Sequence, residues 1–217
     1  MKFFRDKLYE DITIPAPPKD DIGEAAEVKR LIANRTAEQE KSIADHDEVP
    51  FYAIKKYCDD NKMMFHKDEF KDIIYGATDT INYFKDKFDR KRPIEVDKTL
   101  DTSPSKTNKT PSYPSGHAAQ SRIVARYVAG KFPEHEANLI EAGNECGYGR
   151  VLAGFHYPSD YEAGNLLGEK MYKLMNKENY IKEMKTFKTF MESIIDIPRS
   201  TYAPGVFDGA DSKNPKI

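Results

Sequence analysis

The sequence has little of what marks secreted, membrane and nucleic-acid-binding proteins. It contains only two cysteines, Cys58 and Cys146, which fit no metal spacing and no disulfide framework, and we expect two buried free thiols rather than one disulfide. No stretch approaches the roughly 20 consecutive apolar residues of a membrane-spanning helix, so we expect a soluble protein with no integral membrane segment. A basic excess is also lacking, because 34 Lys and Arg residues are balanced by 36 Asp and Glu residues, which argues against a nucleic-acid partner.

The N-terminal segment lacks the apolar core of a secretory signal peptide, since it reads M-K-F-F-R-D-K-L-Y-E-D. On this chain alone we therefore expect a cytoplasmic location, and a periplasmic or secreted one if a leader was removed. No pattern in the sequence determines the oligomeric state, and a homo-oligomer stays open.

Helical periodicity dominates the chain, and no segment shows the alternation of apolar and polar residues typical of a strand. The 217 residues predict an all-α protein with a single domain, residues 1–217, folded as a helical bundle. Residues 1–20 are predicted to form a Pro-rich extended N-terminal arm, and residues 198–217 a C-terminal tail. The predicted helices are 21–45, 49–60, 67–89, 116–132, 134–147, 158–176 and 178–195. Residues 94–114 form a polar loop, long enough that we expect a functional role or disorder.

The first cluster of candidate functional residues is K-D-K-F-D-R-K-R-P, residues 85–93, at the end of the strongest predicted helix, which Pro93 is expected to terminate. Lys85 and Arg92 are seven residues apart, so on a helix they project from nearly the same face. Lys85 lies beside the apolar stripe, where a cation needs a partner, and a bound anion would supply one. The alternative is a solvated basic helix end, which the helix dipole favours.

The second cluster is Ser115, Gly116 and His117, where a new helix is predicted to begin. The unpaired N–H groups of a helix start form an anion site, and a glycine lets an anion approach the backbone closely. Ser115 can cap the helix or bind the anion with its hydroxyl, and His117 lies within reach. The alternative is an ordinary capped helix with an incidental histidine.

The third cluster is G-R-V-L-A-G-F-H-Y-P-S-D, residues 149–160. Pro158 suits the first turn of a helix, which places His156 just outside it and Asp160 in its first turn. A carboxylate there can hold one ring nitrogen of His156 and leave the other as a nucleophile or base. Arg150 adds a planar cation that matches phosphate oxygens. The alternative is a surface His–Asp pair at a helix start.

A metal site is a further alternative, because His117, His156 and Asp160 could ligate one ion. Nearby Lys85, Arg92 and Arg150 would repel a cation, and we therefore expect a phosphate pocket without a metal or other cofactor. The remaining histidines, His46, His66 and His135, lie in polar segments and are expected to be solvated.

The clusters together resemble the three-part signature of the phosphatidic acid phosphatase type 2 and vanadium haloperoxidase superfamily, over about a third of the chain. In size, helical character and Pro-rich arm the chain is most similar to the bacterial class A non-specific acid phosphatases. It departs from their pattern where Gly149 replaces the usual serine, which puts one hydroxyl contact to phosphate in doubt. The matching positions are Lys85-x6-Arg92-Pro93, Pro114-Ser115-Gly116-His117 and Arg150-x5-His156-x3-Asp160.

The resemblance implies metal-independent hydrolysis of small-molecule phosphate monoesters, with inhibition by vanadate. It makes His156 the nucleophile that forms a phosphohistidine, Asp160 the residue that orients it, and His117 the general acid–base. We expect activity to be best below neutrality, where His117 is protonated. The phosphate oxygens are assigned to Lys85, Arg92, Ser115, Gly116 and Arg150. Two other functions stay open: a haloperoxidase with vanadate as its cofactor, and a non-catalytic phosphate-binding protein.

Overall fold

The computed structural model describes residues 3–65, 67–175 and 188–189, and within these residues the chain is helical and has no β-strand, which confirms the all-α prediction. The helices with defined bounds are α1 Asp21–Ala33, α2 Ala37–His46, α3 Tyr52–Asp60, α4 Lys67–Phe88, α5 Pro93–Val96, α6 Gly116–Lys131, α7 Glu136–Leu152 and α8 Pro158–Lys173. Short 3-10 turns cover Leu8–Asp11 and Pro133–His135. The predicted helix 178–195 and the predicted tail 198–217 lie outside the described residues, apart from residues 188–189.

All of these elements belong to one compact unit, Met1–Tyr180, and nearly all of the second unit, Ile181–Ile217, lies outside the described residues. A single domain over residues 1–217 stays a prediction. Over the described part of the chain, no helix combines the length and the apolar character that a membrane crossing requires.

The predicted helix 21–45 is wrong in one respect, because the structure divides it into α1 and α2. Thr36 caps α2 by accepting a hydrogen bond from the Gln39 N–H at 3.2 Å, while the Gln39 side chain accepts from the Thr36 N–H at 2.9 Å. This reciprocal capping box begins a new helix at Ala37.

The region around Pro93 also differs from its prediction. Helix α4 ends at Phe88, and Asp89 takes a left-handed backbone conformation with φ of 41°. Pro93 does not end α4; it is the first residue of the short helix α5, where its fixed φ suits the helix start. Lys85 and Arg92 therefore do not share one helix face.

The N-terminal arm, residues 3–20, is largely extended but contains one 3-10 turn. Its apolar side chains are buried in the main core, and the ring of Phe3 meets Tyr127 edge to face at 5.5 Å. Tyr113 Oη donates a hydrogen bond to the Pro15 carbonyl at 2.7 Å, which ties the arm to the segment before α6. The arm is thus part of the fold and supports the residues that precede α6.

Helix α6 is the centre of the fold and packs against α4, α7 and α8. Most of the buried residues along α6 are small or β-branched, which allows the neighbouring helices to approach closely. A Cβ atom at Gly164 of α8 would lie only 2.5 Å from the Ser115 carbonyl oxygen, and one at Gly168 only 2.6 Å from the Ala119 carbonyl oxygen. These contacts hold α8 against the first half of α6. The Ser115 N–H also donates to the Asp160 carbonyl at 2.9 Å, so the starts of the two helices lie together, and both carry predicted site residues.

Cys58 and Cys146 are buried free thiols, which confirms the prediction made for them. Burial raises the pKa of each to about 12, so neither thiol is a reactive thiolate at neutral pH.

Candidate active site

A cavity of about 270 Å³ lies among α4, α6, the end of α7 and the polar segments that precede α3 and α6. We call it the site cavity. It brings together residues from all three predicted clusters, although these are separated by up to 71 positions in the sequence. Its lining includes six of the predicted site residues, which are Lys85, Arg92, Gly116, His117, Arg150 and His156. Asp160 and Ser115 are buried directly behind this lining.

His156 and Asp160 form the pair that the third cluster predicts. His156 Nδ1 lies 3.2 Å from Asp160 Oδ2, so its N–H donates to the carboxylate. Nε2 of the same ring lies 3.4 Å from Arg92 Nη1 and accepts from that guanidinium. Burial, reinforced by Arg92 and Lys85, lowers the pKa of His156 well below its usual range. The ring is therefore neutral, and its lone pair is on Nε2 at the cavity.

Two further side chains, those of Arg90 and Ser112, hold Asp160, and neither residue was among the predicted site residues. Arg90 Nη1 donates to Asp160 Oδ1 at 2.7 Å, and Ser112 Oγ donates to Asp160 Oδ2. The backbone N–H of Tyr157 donates to Oδ2 at 3.0 Å. Burial raises the pKa of Asp160, while Arg90 and Ser112 oppose that rise by stabilising the carboxylate. A carboxylate that accepts this many hydrogen bonds holds the His156 ring in one orientation.

Arg90 has a structural role that extends away from the cavity. Its guanidinium also forms ion pairs with Asp21 at 2.8 Å and with Glu24, both in the first turn of α1. The only sequence signal for Arg90 is its position in the first cluster, where it lies between Lys85 and Arg92. Spacing alone does not distinguish it from the exposed Lys91.

Three buried cations surround the cavity. Lys85, Arg92 and Arg150 are 4%, 6% and 2% exposed. Lys85 Nζ donates to the Pro111 carbonyl, and Arg92 donates to the carbonyls of Thr110 and Phe155 at 2.9 and 2.8 Å. These partners are neutral, so the Lys85 and Arg92 charges lack counter-ions in direct contact among the described residues.

Burial and the neighbouring Arg92 lower the pKa of Lys85 to about 7. Burial and Arg150 likewise lower the pKa of Arg92 to about 10. The Nε of Arg150 is buried and has no hydrogen-bond partner in the part of the chain that the structure describes. A buried donor without an acceptor is costly, which is the situation that an anionic ligand relieves.

The start of α6 lies at the cavity, as the second cluster predicts. Gly116 is its first residue and lines the cavity, and a Cβ atom there would lie 3.8 Å from Lys85 Cε. Ser115 is the N-cap: its Oγ accepts from the Ala118 N–H at 3.4 Å, and it is fully buried. The structure thus gives the Ser115 hydroxyl a capping role, while the helix N-terminus and Gly116 lie beside the lysine.

His117 differs from the sequence expectation in its charge. Its Nε2–H donates to the Asp47 carbonyl at 2.9 Å, which leaves Nδ1 as the unprotonated nitrogen. Burial and the charge of Arg150 lower the pKa of His117 to about 3. The protein's own groups therefore hold this ring neutral at mildly acid pH. Protonation of His117 below neutrality, which the resemblance implies, therefore requires additional negative charge, such as a phosphate in the cavity.

Gly149 does not lie where the resemblance suggests. A Cβ atom at this position would lie 3.8 Å from Ile43 Cγ1 and 4.0 Å from His46 Nδ1. Gly149 lines a separate surface groove between α2 and α7 and is not among the residues of the site cavity. A serine here would direct its side chain towards α2, so the glycine does not remove a contact to phosphate.

The prediction that His46 is solvated is wrong. His46 is 2% exposed, its Nδ1 lies 3.4 Å from Ser42 Oγ, and burial lowers its pKa. His135 is half-buried, with Nδ1 2.8 Å from Tyr57 Oη, and His66 lies outside the described residues. Within the residues that the structure describes, no three or more His, Cys, Asp or Glu side chains are grouped as metal ligands.

Comparison with known proteins agrees with this arrangement. Residues 73–177, just under half of the chain, match the family model of the PAP2 superfamily and contain all the predicted site residues. This region of the chain is thus similar to the PAP2 superfamily, in agreement with the resemblance seen in the sequence.

Curated relatives match shorter stretches. The chain is 35% identical over 92 residues to an acid phosphatase of Zymomonas mobilis, covering 41% of this chain and 35% of that protein. It is 42% identical over 57 residues to a non-specific acid phosphatase of Salmonella typhi, covering 26% of this chain and 23% of the relative. A non-specific acid phosphatase of Providencia stuartii is 36% identical over 62 residues, covering 29% and 25%. The chain thus spans about a third or less of the length of these relatives.

Proposed function

We propose that the chain is a phosphoric monoester hydrolase, an acid phosphatase that acts without a metal through a phosphohistidine on His156. One observation carries the proposal: a single cavity is lined by three buried cations, a neutral histidine with an unprotonated Nε2, a second histidine and a helix N-terminus. This is the arrangement that a phosphoryl group requires, because charge on its equatorial oxygens grows in the transition state. The names of the relatives agree with this activity.

The cations and the start of α6 hold the phosphate. The buried Arg150 Nε supplies a donor that has no acceptor among the described residues, and Lys85 has donors beyond the one that the Pro111 carbonyl accepts. The backbone N–H at Gly116 adds a donor at the positive end of α6. The same cations disfavour a metal ion in this cavity by charge repulsion, which supports a reaction without a metal.

The chemistry divides into two steps. In the first, His156 Nε2 attacks phosphorus, the ester P–O bond breaks, and the leaving oxygen takes a proton from His117. In the second, water attacks the phosphohistidine, the N–P bond breaks, and His117 accepts the proton of that water. Asp160 stabilises the positive charge on His156 throughout, because it accepts from Nδ1.

Binding of the substrate phosphate favours protonation of His117. A bound phosphate places negative charge beside Arg150 and Lys85, whose fields otherwise lower the pKa of His117. Protonation of His117 and binding of the phosphate then favour each other. The acid form is expected mainly in the complex with substrate.

Replacement of His156 tests the proposal. His156→Ala should abolish hydrolysis of p-nitrophenyl phosphate, while His135→Ala, a half-buried histidine outside the cavity, should retain it. Turnover should be insensitive to a chelator. Undiminished turnover by His156→Ala refutes the proposed nucleophile. Bromide oxidation with added vanadate and peroxide, in the absence of ester hydrolysis, would instead assign a haloperoxidase. Phosphate binding with no turnover of either kind would assign a binding protein.

A further inference from the structure

The turn between α2 and α3 contacts the site cavity, although it lies outside every motif in the sequence. It consists of residues 47–51. Asp47 is buried, with 8% of its surface exposed, whereas its neighbour Glu48 is exposed and forms an ion pair with Lys106. Asp47 is thus a buried carboxylate in direct contact with Arg150, one of the three cavity cations, and the proposed reaction steps give it no role.

The carboxylate of Asp47 joins two other parts of the site. Arg150 Nη1 donates to Oδ1 at 2.6 Å, from the last turn of α7. The segment before α6 supplies the other donors, which are Ser105 Oγ at 2.6 Å, the Lys106 N–H at 3.0 Å and Thr107 Oγ1 at 3.1 Å. Burial opposes ionisation, but the hydrogen bonds from Ser105 and Arg150 hold the pKa of Asp47 well below its usual range. The carboxylate is therefore charged.

These contacts fix the plane of the Arg150 guanidinium. Nη1 is held by Asp47, and Nη2 donates to Thr107 Oγ1 at 2.9 Å. The guanidinium also lies over the ring of Phe155, 4.4 Å from its centroid. With both terminal nitrogens engaged, the buried Nε–H is a donor that remains for a ligand.

The backbone of Asp47 contacts the second catalytic candidate. Its carbonyl oxygen accepts from His117 Nε2 at 2.9 Å, which sets the tautomer of that ring. One residue therefore contacts Arg150 with its side chain and His117 with its main chain. The carboxylate anchors the turn to residues 105–107, and this anchoring also holds the carbonyl in place.

We infer that Asp47 is a positioning residue of the proposed phosphatase site, which orients Arg150 through its carboxylate and His117 through its carbonyl. The inference rests on the proposed function and adds a fourth chain segment to the three that form the signature. Removal of the Asp47 carboxylate has two opposing effects on phosphate binding. Loss of the carboxylate removes a negative charge near the anion, which favours binding, but it also releases Arg150, which disfavours binding. A positioning role therefore predicts a larger effect on kcat than on phosphate affinity.

The variant Asp47→Asn tests this inference, with Asp45→Asn as its control, because Asp45 is exposed on α2 two residues earlier. We would measure kcat and KM for p-nitrophenyl phosphate, the Kd of inorganic phosphate by calorimetry, and the His117 tautomer by imidazole ¹⁵N NMR. Asp47→Asn should lower kcat by about tenfold to a hundredfold, with the phosphate Kd within about threefold of wild type. His117 should lose its single Nε2–H tautomer.

A second variant keeps the carboxylate and covers a failure of Asp47→Asn to fold. Thr107→Val removes only the hydroxyl that contacts both Asp47 and Arg150, and it should lower kcat by a smaller factor in the same direction. If either variant keeps the kcat of the wild-type protein, measured per folded molecule, the inference is overturned and the proposed function stands. A wild-type chain that hydrolyses no ester overturns the proposed function. The inference is then decided by the His117 tautomer, and an unchanged tautomer in Asp47→Asn overturns it.

Discussion

Replacement of Lys85 by methionine should stabilise the fold and remove phosphate binding. The pKa of Lys85 is lowered from 10.5 to about 7, which corresponds to about 5 kcal/mol of free energy against the charged side chain. Because the folded-state pKa lies below the unfolded one, this cost is complete below about pH 7 and is relieved as the pH rises from there to 10.5. Methionine has a similar length and carries no charge.

One contact offsets part of the gain. The Pro111 carbonyl loses the hydrogen bond from Lys85 Nζ, which costs about 1–3 kcal/mol if no water replaces it. The net expectation for Lys85→Met is therefore a gain of about 2–4 kcal/mol in the free energy of unfolding near pH 6. Urea unfolding with and without inorganic phosphate measures both parts of the prediction.

Wild-type protein should gain about 2.7 kcal/mol at a phosphate concentration of one hundred times its Kd, and Lys85→Met should gain little at that same concentration. Lys87→Met is the matched control, because Lys87 is an exposed lysine on the same helix. It should change neither stability nor the response to phosphate appreciably. A Lys85→Met variant that is less stable than wild type, or that is stabilised equally by phosphate, would refute the reasoning about the cavity charges.

Three further predictions concern pH, Gly149 and Arg90. Because Lys85 loses its charge above its pKa of about 7, kcat/KM should fall with rising pH beyond neutrality, and Lys85→Arg should move that fall to higher pH in a pH–rate profile. Gly149→Ala should raise the free energy of unfolding by about 0.5–1 kcal/mol in urea denaturation and leave the phosphate Kd unchanged. Gly164→Ala should destabilise the protein in the same assay, because its Cβ would lie 2.5 Å from a backbone oxygen. Arg90→Met should cost about 3–5 kcal/mol because it leaves Asp160 as a buried carboxylate without its cation, and the exposed Lys91→Met should cost almost nothing.

The helix α4 and the residues of the three clusters could be predicted because their signals are local. A long apolar stripe at helical spacing predicts α4, and the order of basic, helix-start and His–Asp residues predicts the cavity lining. The break between α1 and α2 also had a local signal, since Thr36 and Gln39 have the spacing of a capping box.

The site residues that could not be predicted depend on contacts between distant segments. Arg90 and Lys91 are neighbours in one basic run, and only the packing of α1 and α8 buries the first and leaves the second exposed. Asp47 has no patterned neighbour, because its partners lie 58 to 103 positions away. The low pKa of His117 could not be predicted either, since burial and the charge of Arg150 cause it.

The central claim is that His156 Nε2 carries the phosphoryl group, and direct detection of that bond tests it most closely. Rapid mixing with a phosphate ester, a quench at alkaline pH to preserve phosphohistidine, and peptide mass spectrometry would identify the modified residue. We expect one phosphoryl group on the peptide that contains His156, and none on that peptide in His156→Ala. Turnover of the ester with no phosphorylated histidine, or with phosphate on His117 instead, would contradict the account.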